Sequence, residues 1–243
     1  MFNQLYKKMK RIIIFFLLPI FCFSQINNIK ITYDIKLIEE NFKITDDPIY
    51  RRLEENAENT ELLFEKYNNV SICSLVNDIQ QDPVLYSLID LFNPDFYDYI
   101  KKNNYSLYNS NYIYSASDYL LSTNIKYIWE FYDETKEIGG YLCYKAVSNN
   151  IENSKGSFYP VTVWYCPAIP LEAGFKNYNN LPGAVLELQE QYIAYLAKSI
   201  TFNEVEKFEL PKLPIISIEE YLQKVEQAKK DNPEMFPDFK SNN

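Results

Sequence analysis

Three carboxylates in one short segment, Glu130, Asp133 and Glu134, are the side chains in this sequence best suited to catalysis. Two carboxyl groups about 5 to 9 Å apart can act as the acid and base of glycoside hydrolysis, and clustered carboxylate oxygens can also bind calcium. Glu187 is a fourth carboxylate that such a site could use. Acidic residues at the end of a strand in an acidic protein are usually solvated. We therefore expect Glu130, Asp133 and Glu134 to be solvated side chains that bind no metal.

Histidine is absent from the chain. Its absence removes the commonest general base, the pairs of a nucleophile with histidine, and every histidine-based metal site. The sequence also contains no P-loop, dinucleotide fingerprint or EF-hand loop. It therefore predicts no catalytic residue, no metal and no cofactor, and it favours a non-enzymatic protein over a hydrolase acting on glycan or peptide.

Tyrosines cluster at positions 105, 108, 112, 114 and 119. A tyrosine ring offers a stacking face together with a hydroxyl, so such a cluster can line a groove for glycan or peptide. Tyrosine is also enriched in half-buried strands. The sequence favours this packing role over ligand contact.

Three cysteines, Cys73, Cys143 and Cys166, lie outside the N-terminal apolar segment. The strand-like segments around Cys143 and Cys166 flank the turn-like sequence IENSKG, and a hairpin centred near Ser154 places the two cysteines almost opposite each other. Directly opposed positions on antiparallel strands are close enough for a disulfide. Two alternatives stay open, a Cys143–Cys166 disulfide and a pair of buried free thiols.

The first half of the chain mixes strand and helix patterns. Residues 29–37 alternate apolar and polar side chains, which is typical of a strand with one buried face. A helix is predicted to begin at Asp47-Pro48, and residues 60–76 are predicted to be extended. Two further Asx-Pro pairs each begin an apolar segment, so residues 82–103 are predicted to form a helical insertion, either a packing excursion or a lid.

From Tyr105 onward, short β-like segments with short connections predict an antiparallel meander. Ser217 and Glu220 form a capping box, and Ile216 can pack on Tyr221, which predicts a C-terminal helix over residues 217–231. The expected fold is α+β and mainly β: a curved antiparallel sheet, half-barrel or bowl-like, in one domain over residues 25–243.

The segment Asn180-Leu181-Pro182-Gly183 is predicted to be a structural turn. Pro182 fixes φ for the second position of a type II turn, and Gly183 provides the positive φ that the third position needs. Asn180 tolerates left-handed geometry. In the following strand, simple alternation places Val185 and Glu187 on one face.

The N-terminus has the form of a secretory signal peptide, with basic residues followed by an apolar run that is too short to span a bilayer. We expect cleavage after Ser24 and no transmembrane helix in the mature chain. Loss of residues 1–24 removes four basic residues and no acidic one, which changes the formal net charge from -9 to about -13. Such a surface repels phosphate backbones, so binding of nucleic acid is not expected.

The second half of the chain resembles the GLPGLI family, a group of exported Bacteroidetes proteins. The similarity is carried, in matching order and spacing, by ETKEIGGYLCYKA at 134–146, WYCPAIP at 164–170 and NLPGAVLEL at 180–188. Asn180 stands where the family has a glycine, and Cys166 stands where it has a threonine. The resemblance implies no specific activity. A related bowl-like domain attached to some bacterial glycan-releasing enzymes implies an accessory or recognition role.

We therefore expect an exported binding or accessory protein in the periplasm or at the outer membrane, with an unknown envelope ligand or outer-membrane partner. The ligand surface is expected on the interior of the curved sheet, and its candidate residues are Tyr141, Trp164, Tyr165 and Glu187. One alternative is a hydrolase that uses the four carboxylates. The other is a structural protein that docks on an outer-membrane protein through an exposed strand edge.

Overall fold

The computed structural model describes residues 26–42, 47–76, 99–102, 105–109, 119–123, 127–152, 158–171, 174–176, 178–209 and 212–231. Its strands are β1 Asn28–Leu37, β2 Glu61–Tyr67, β3 Val70–Val76, β4 Tyr99–Lys102, β5 Tyr105–Asn109, β6 Leu120–Thr123, β7 Glu130–Ile138, β8 Tyr141–Glu152, β9 Phe158–Cys166, β10 Ala184–Gln189, β11 Ile193–Phe202 and β12 Ile215–Ser217. Its α-helices are α1 Pro48–Glu58 and α2 Ile218–Asp231.

Two antiparallel meanders form the sheet. Strands β1 to β6 pair in sequence order in one meander, and strands β7 to β11 do so in the other. Pairing of β1 with β11 joins the two. The resulting order is β12-β6-β5-β4-β3-β2-β1-β11-β10-β9-β8-β7, an open sheet in which only β12 and β6 pair in parallel. The predicted α+β, mainly β fold with a curved antiparallel sheet and a C-terminal helix is confirmed.

Local sequence accounts for several elements. On β1, Ile29, Ile31, Tyr33 and Ile35 are buried while their neighbours are not, as the alternation predicts. Helix α1 begins at Pro48, as predicted. At the start of α2, the backbone N–H of Glu220 donates to Ser217 Oγ at 3.1 Å, which is one half of the expected capping box.

The predicted helical insertion over residues 82–103 is wrong at its C-terminal end. Residues 99–102 form strand β4, which pairs with both β3 and β5. The rest of the insertion, residues 82–98, lies outside the described residues. The Asx-Pro signals therefore do not set the structure of the last residues, where pairing with two neighbouring strands decides the conformation.

One face of the sheet, which we call the core face, carries the buried apolar side chains of β1, β2, β9 and β11. The connection between β9 and β10 is called the cover segment, and its described residues, 167–171, 174–176 and 178–183, include apolar side chains that pack with this face. Phe175 of the cover segment stacks on Tyr33 with ring centroids 4.1 Å apart. It also contacts the rings of Phe64 and Tyr195, with centroids at 6.4 and 5.6 Å. Over β1, β2 and β11, the core face is thus covered by a side chain of the cover segment.

A buried ion pair fixes the cover segment in place. The side chain of Lys176 is 1% exposed, and its Nζ donates to both carboxylate oxygens of Glu190, at 2.9 and 2.8 Å, and to Tyr195 Oη at 3.3 Å. Tyr178 Oη donates to the same carboxylate at 2.6 Å. Burial, together with the charge of Glu190, raises the pKa of Tyr178 well above its usual value. The phenol therefore stays protonated and remains a hydrogen-bond donor.

The turn at 180–183 differs from a type II turn. Asn180 is left-handed, with φ of +64°, as predicted. Gly183 has φ of +156°, whereas a type II turn has about +80° at its third position. A Cβ atom on Gly183 would lie 2.1 Å from the carbonyl oxygen of Cys166. The position needs glycine mainly because the backbone at the end of β9 passes so close to it.

We predict that Gly183→Val lowers the free energy of unfolding by about 2 kcal/mol or more. The new side chain collides with backbone atoms, which cannot move aside as a flexible side chain can. A loss of about 2 kcal/mol corresponds to a fall in Tm of about 4–8 °C for a chain of this size, measurable by thermal unfolding. Gly139→Asn is the matched control, since its φ of +57° suits asparagine and a Cβ there meets nothing within 4 Å. Equal losses in both variants would contradict the explanation.

We also predict that Glu190→Ala destabilises the protein by about 3–5 kcal/mol, because the variant leaves the Lys176 ammonium buried without its carboxylate. Urea unfolding followed by tryptophan fluorescence measures this loss. The control is Lys198→Ala, which removes the exposed ion pairs to Asp34 and Glu61 and should cost about 1 kcal/mol or less. If the two variants lose the same stability, Glu190 does not anchor the cover segment.

Candidate binding surface on the open face of the sheet

The opposite side of the sheet, which we call the open face, carries polar side chains on β8, β9 and β10. Trp164 is the cross-strand partner of Lys145 on β8 and of Glu187 on β10. Cross-strand partners point to the same side of a sheet. Trp164, Lys145 and Glu187 therefore form one row across three strands.

Lys136 of β7 extends over this row. It stands opposite Cys143 of β8, yet its ammonium forms an ion pair and hydrogen bond with Glu187 Oε2 on β10. The same ammonium lies 4.5 Å from the centroid of the Trp164 ring, which is a cation–π contact. Gln189 Nε2 donates to the other carboxylate oxygen, Glu187 Oε1, at 2.6 Å. We call these four residues the Lys136 cluster.

Burial differs within the Lys136 cluster. The side chain of Glu187 is only 10% exposed, whereas that of Lys136 is 34% exposed. A buried carboxylate needs partners for its oxygens, and Lys136 and Gln189 each satisfy one. The carboxylate thus holds the ammonium in a fixed position over the indole ring. The partly exposed ammonium and Trp164 are the groups of the cluster that a ligand can reach.

A second lysine repeats this arrangement beside the first. Lys145 Nζ donates to both carboxylate oxygens of Glu134 at 3.1 Å and lies 5.4 Å from the centroid of the Tyr132 ring. Tyr132 Oη donates to Glu130 Oε2 at 3.1 Å, which raises the pKa of Tyr132. Two groups, each with a lysine, an aromatic ring and a carboxylate, therefore lie next to each other on the open face.

The structure brings together two of the four predicted ligand residues. Trp164 and Glu187 are cross-strand partners, and alternation along β8 places Tyr141 on the same face as Lys145. Tyr165 lies on the core face, where its ring contacts Phe131 and Tyr144 at 5.7 and 6.1 Å. Burial raises the pKa of Tyr165. We assign Tyr165 to packing rather than to the candidate surface.

The position of Glu187 depends on an irregularity that simple alternation misses. Val185 pairs with Tyr165, and Glu187 pairs with Trp164, with a register shift between them. The prediction that Val185 and Glu187 share a face is therefore wrong, because one extra residue in a strand moves the next side chain to the other face. Lys136, Lys145, Gln189 and Tyr132 were also missed as site residues. In the sequence, the alternation of side chains between the two faces of β7, β8 and β10 is the signal that could have identified them.

The four carboxylates of the hydrolase hypothesis do not form one group. Glu130, Asp133 and Glu134 are exposed on β7, the outermost strand at one end of the sheet. Glu187 is buried on β10, three strands away, and is bound by Lys136. Within the part of the chain that the structure describes, no group of three or more potential ligand residues could hold a metal ion.

The cysteine hairpin has the predicted register. Tyr144 faces Tyr165 and Lys145 faces Trp164, so the next position along brings Cys143 opposite Cys166. Both are free and buried, which is the second of the two alternatives. Of the clustered tyrosines, 112 and 114 lie outside the described residues, while 105 and 108 are in β5. Tyr119 packs against Tyr221 of α2, with ring centroids 6.3 Å apart.

Among the described residues, no helix is long and apolar enough to cross a membrane. No protein-family model and no curated protein matches the chain. Two solved structures of PNGF-II, in space groups C2 and P21, are similar, each with a TM-score of 0.51 and with 15% and 16% sequence identity. They match 83% and 84% of this chain but 33% and 34% of their own. The chain therefore spans about a third of the length of these structures, with which it shares the fold.

Proposed function

We propose that the protein is an exported, non-enzymatic binding or accessory protein of the cell envelope that holds its ligand on the open face of the sheet, at the Lys136 cluster. The single observation that carries this proposal is the fixed ammonium over the Trp164 ring, held by a buried carboxylate. Export to the periplasm or outer membrane rests on the N-terminal signal pattern. Membership of the GLPGLI family, also proposed, agrees with a role that needs no catalytic residue.

The geometry suits recognition of a polar ligand. The residues of the cluster project from β7, β9 and β10 of one sheet, so their positions are set by the sheet and little conformational freedom is lost on binding. The ammonium donates hydrogen bonds, and the aromatic ring offers an apolar surface for contact with a ligand. A glycan or an extended peptide presents both features, hydrogen-bond acceptors and apolar patches.

The hydrolase alternative receives less support from the same side chains. Acid and base catalysis requires two carboxyl groups that converge on one bond, and three of the candidates are exposed on β7 while Glu187 is engaged by Lys136 and Gln189.

Docking on an outer-membrane protein is a second candidate function, because large apolar side chains are exposed on the outer strands. Phe131 of β7, Leu142 of β8 and Phe158 of β9 are 55%, 53% and 65% exposed. Exposed apolar groups of this size can mark protein contacts. Strand addition at the edge of β7 is less suitable, because β7 contains an irregularity and several acidic residues, which protect sheet edges from pairing.

We predict that the protein binds one class within an immobilised panel of peptidoglycan fragments, envelope polysaccharides and extended peptides. Lys136→Met should raise the Kd about tenfold or more, since tenfold corresponds to about 1.4 kcal/mol, within the range for a central interface residue. In a Trp129→Phe background, Trp164 is the only tryptophan, so its fluorescence reports occupancy directly.

Lys198→Met is the matched control for this experiment. It removes a lysine of β11 whose ion pairs are with Asp34 on β1 and Glu61 on β2 rather than with a residue of the Lys136 cluster, and should leave binding unchanged. Absence of binding to every member of the panel, or an equal effect of the two lysine variants, would contradict the proposed site. Binding accompanied by hydrolysis of the bound glycan or peptide, at a rate above that without protein, would favour the hydrolase instead.

For the docking alternative, we predict that immobilised protein recovers one membrane protein reproducibly from envelope extracts and that the double variant Phe131→Ser, Leu142→Ser loses it. Mass spectrometry of the eluate identifies the partner. Leu222→Ser is the control, because Leu222 of α2 is similarly exposed, at 52%, on a different part of the molecule. Recovery that survives the double variant, or that is lost equally with Leu222→Ser, counts against this surface.

A further inference from the structure

Cys143, near the start of β8, and Cys166, at the end of β9, face each other as a dithiol. Cys166 is the last residue of β9, and the pairing of Tyr144 with Tyr165 places Cys143 directly across from it. Facing residues on antiparallel strands have Cα atoms about 4.5 or 5.5 Å apart, depending on the pair type. Both values fall within the range of about 4.4–6.8 Å that a disulfide spans. Each residue is 0% exposed and carries a free thiol.

The surroundings make the two sulfurs unequal. The Cys143 thiol lies 3.5 Å from the carbonyl oxygen of Tyr141, and Cys143 together with the backbone N–H groups of Ala168 and Ile169 in the turn after β9 favours the charged form of Cys166. These donors lower the pKa of Cys166 to about 6 in spite of its burial. The pKa of Cys143 is raised by the same contact with Cys166 and by burial, although the nearby Lys136 ammonium opposes the shift. The two pKa shifts have opposite directions, so Cys166 ionises more readily than Cys143.

We propose that Cys143 and Cys166 form a redox-active dithiol that a small-molecule disulfide, or an oxidoreductase carrying an exchangeable disulfide, converts into an intrachain disulfide joining β8 to β9. Cys166 is the attacking sulfur, and Cys143 is the resolving sulfur. The proposal concerns a modification site and does not depend on the proposed binding function. Because Cys166 is the last residue of β9, local opening of the turn that follows gives the oxidant access to its sulfur.

The reaction balances as two exchange steps. In the first, the Cys166 thiolate attacks one sulfur of the oxidant, the oxidant's S–S bond breaks, and its other sulfur leaves as a thiolate. In the second, Cys143 gives its proton to that departing thiolate and attacks the Cys166 sulfur of the mixed disulfide, which releases the second oxidant sulfur as a thiolate. The two cysteines lose two electrons in total, and the oxidant gains them as it becomes one thiol and one thiolate.

The experiment uses the purified, fully reduced protein incubated with oxidised glutathione in the folded state. After an acid quench, free thiols are alkylated in denaturant and the peptides are mapped without reduction. The expected result is a Cys143–Cys166 linked peptide, with Cys73 alkylated. Cys73→Ser, which changes the buried cysteine of β3, is the control and should form the same link.

Two single variants test the separate roles of the sulfurs. Cys143→Ser should stop at the first step and accumulate a glutathione adduct on Cys166, whereas Cys166→Ser should form at least about tenfold less adduct on Cys143 over the same time, because the remaining thiol is buried within β8 and lacks the backbone N–H donors of the turn after β9. Wild-type protein in which Cys143 and Cys166 both remain alkylatable overturns the proposal. Equal adduct formation by the two variants overturns the assignment of roles. The wild-type mapping is decisive even if a variant folds poorly.

Discussion

The ammonium of Lys176 lies in the interior of the protein, where a charge is stable only if an ion pair and hydrogen bonds compensate it. The side chains around it meet this requirement. Both oxygens of Glu190 accept from it, Tyr195 accepts a further bond, and Tyr178 donates to the same carboxylate. Lys176 has a positive φ of +53°, a conformation that costs free energy in a residue other than glycine. The network offsets this cost, and it holds Phe175 against Tyr33 of β1.

A filled core face decides where a ligand can bind. The expected ligand surface was the interior of a curved sheet, but the aromatic side chains of the cover segment occupy the core face that the structure describes. On the opposite face, the side chains of Lys136 and Trp164 are partly exposed. The same packing that stabilises the protein therefore leaves the Lys136 cluster as the surface with both exposed charge and an aromatic ring. The location of the candidate binding surface therefore depends on which face of the sheet forms the core.

The sequence predicts those features that depend on local pattern. The alternation around Tyr33 specifies a strand with one buried face, Ser217 specifies the start of the last helix, and the turn between Cys143 and Cys166 specifies the register of a hairpin. It does not predict that Tyr99 lies in a strand, because pairing with β3 and β5 determines this. Nor does it predict the irregularity before Glu187, since the letters of β10 fit regular alternation equally well and only pairing with β9 reveals the extra residue.

The dithiol and the Lys136 cluster are physically connected through one row of the sheet. Lys136, Cys143, Cys166 and Ala184 occupy facing positions on four successive strands. The side chains of Lys136 on β7 and Glu187 on β10 meet although β8 and β9 lie between their strands, and the small, fully buried residues of this row leave room for that contact. A larger side chain at Cys143 or Cys166 would obstruct it and move the ammonium from the Trp164 ring. The small volume of these residues is thus a requirement of the open face, separate from the chemistry of their sulfurs, and serine substitutions preserve it while removing the thiols.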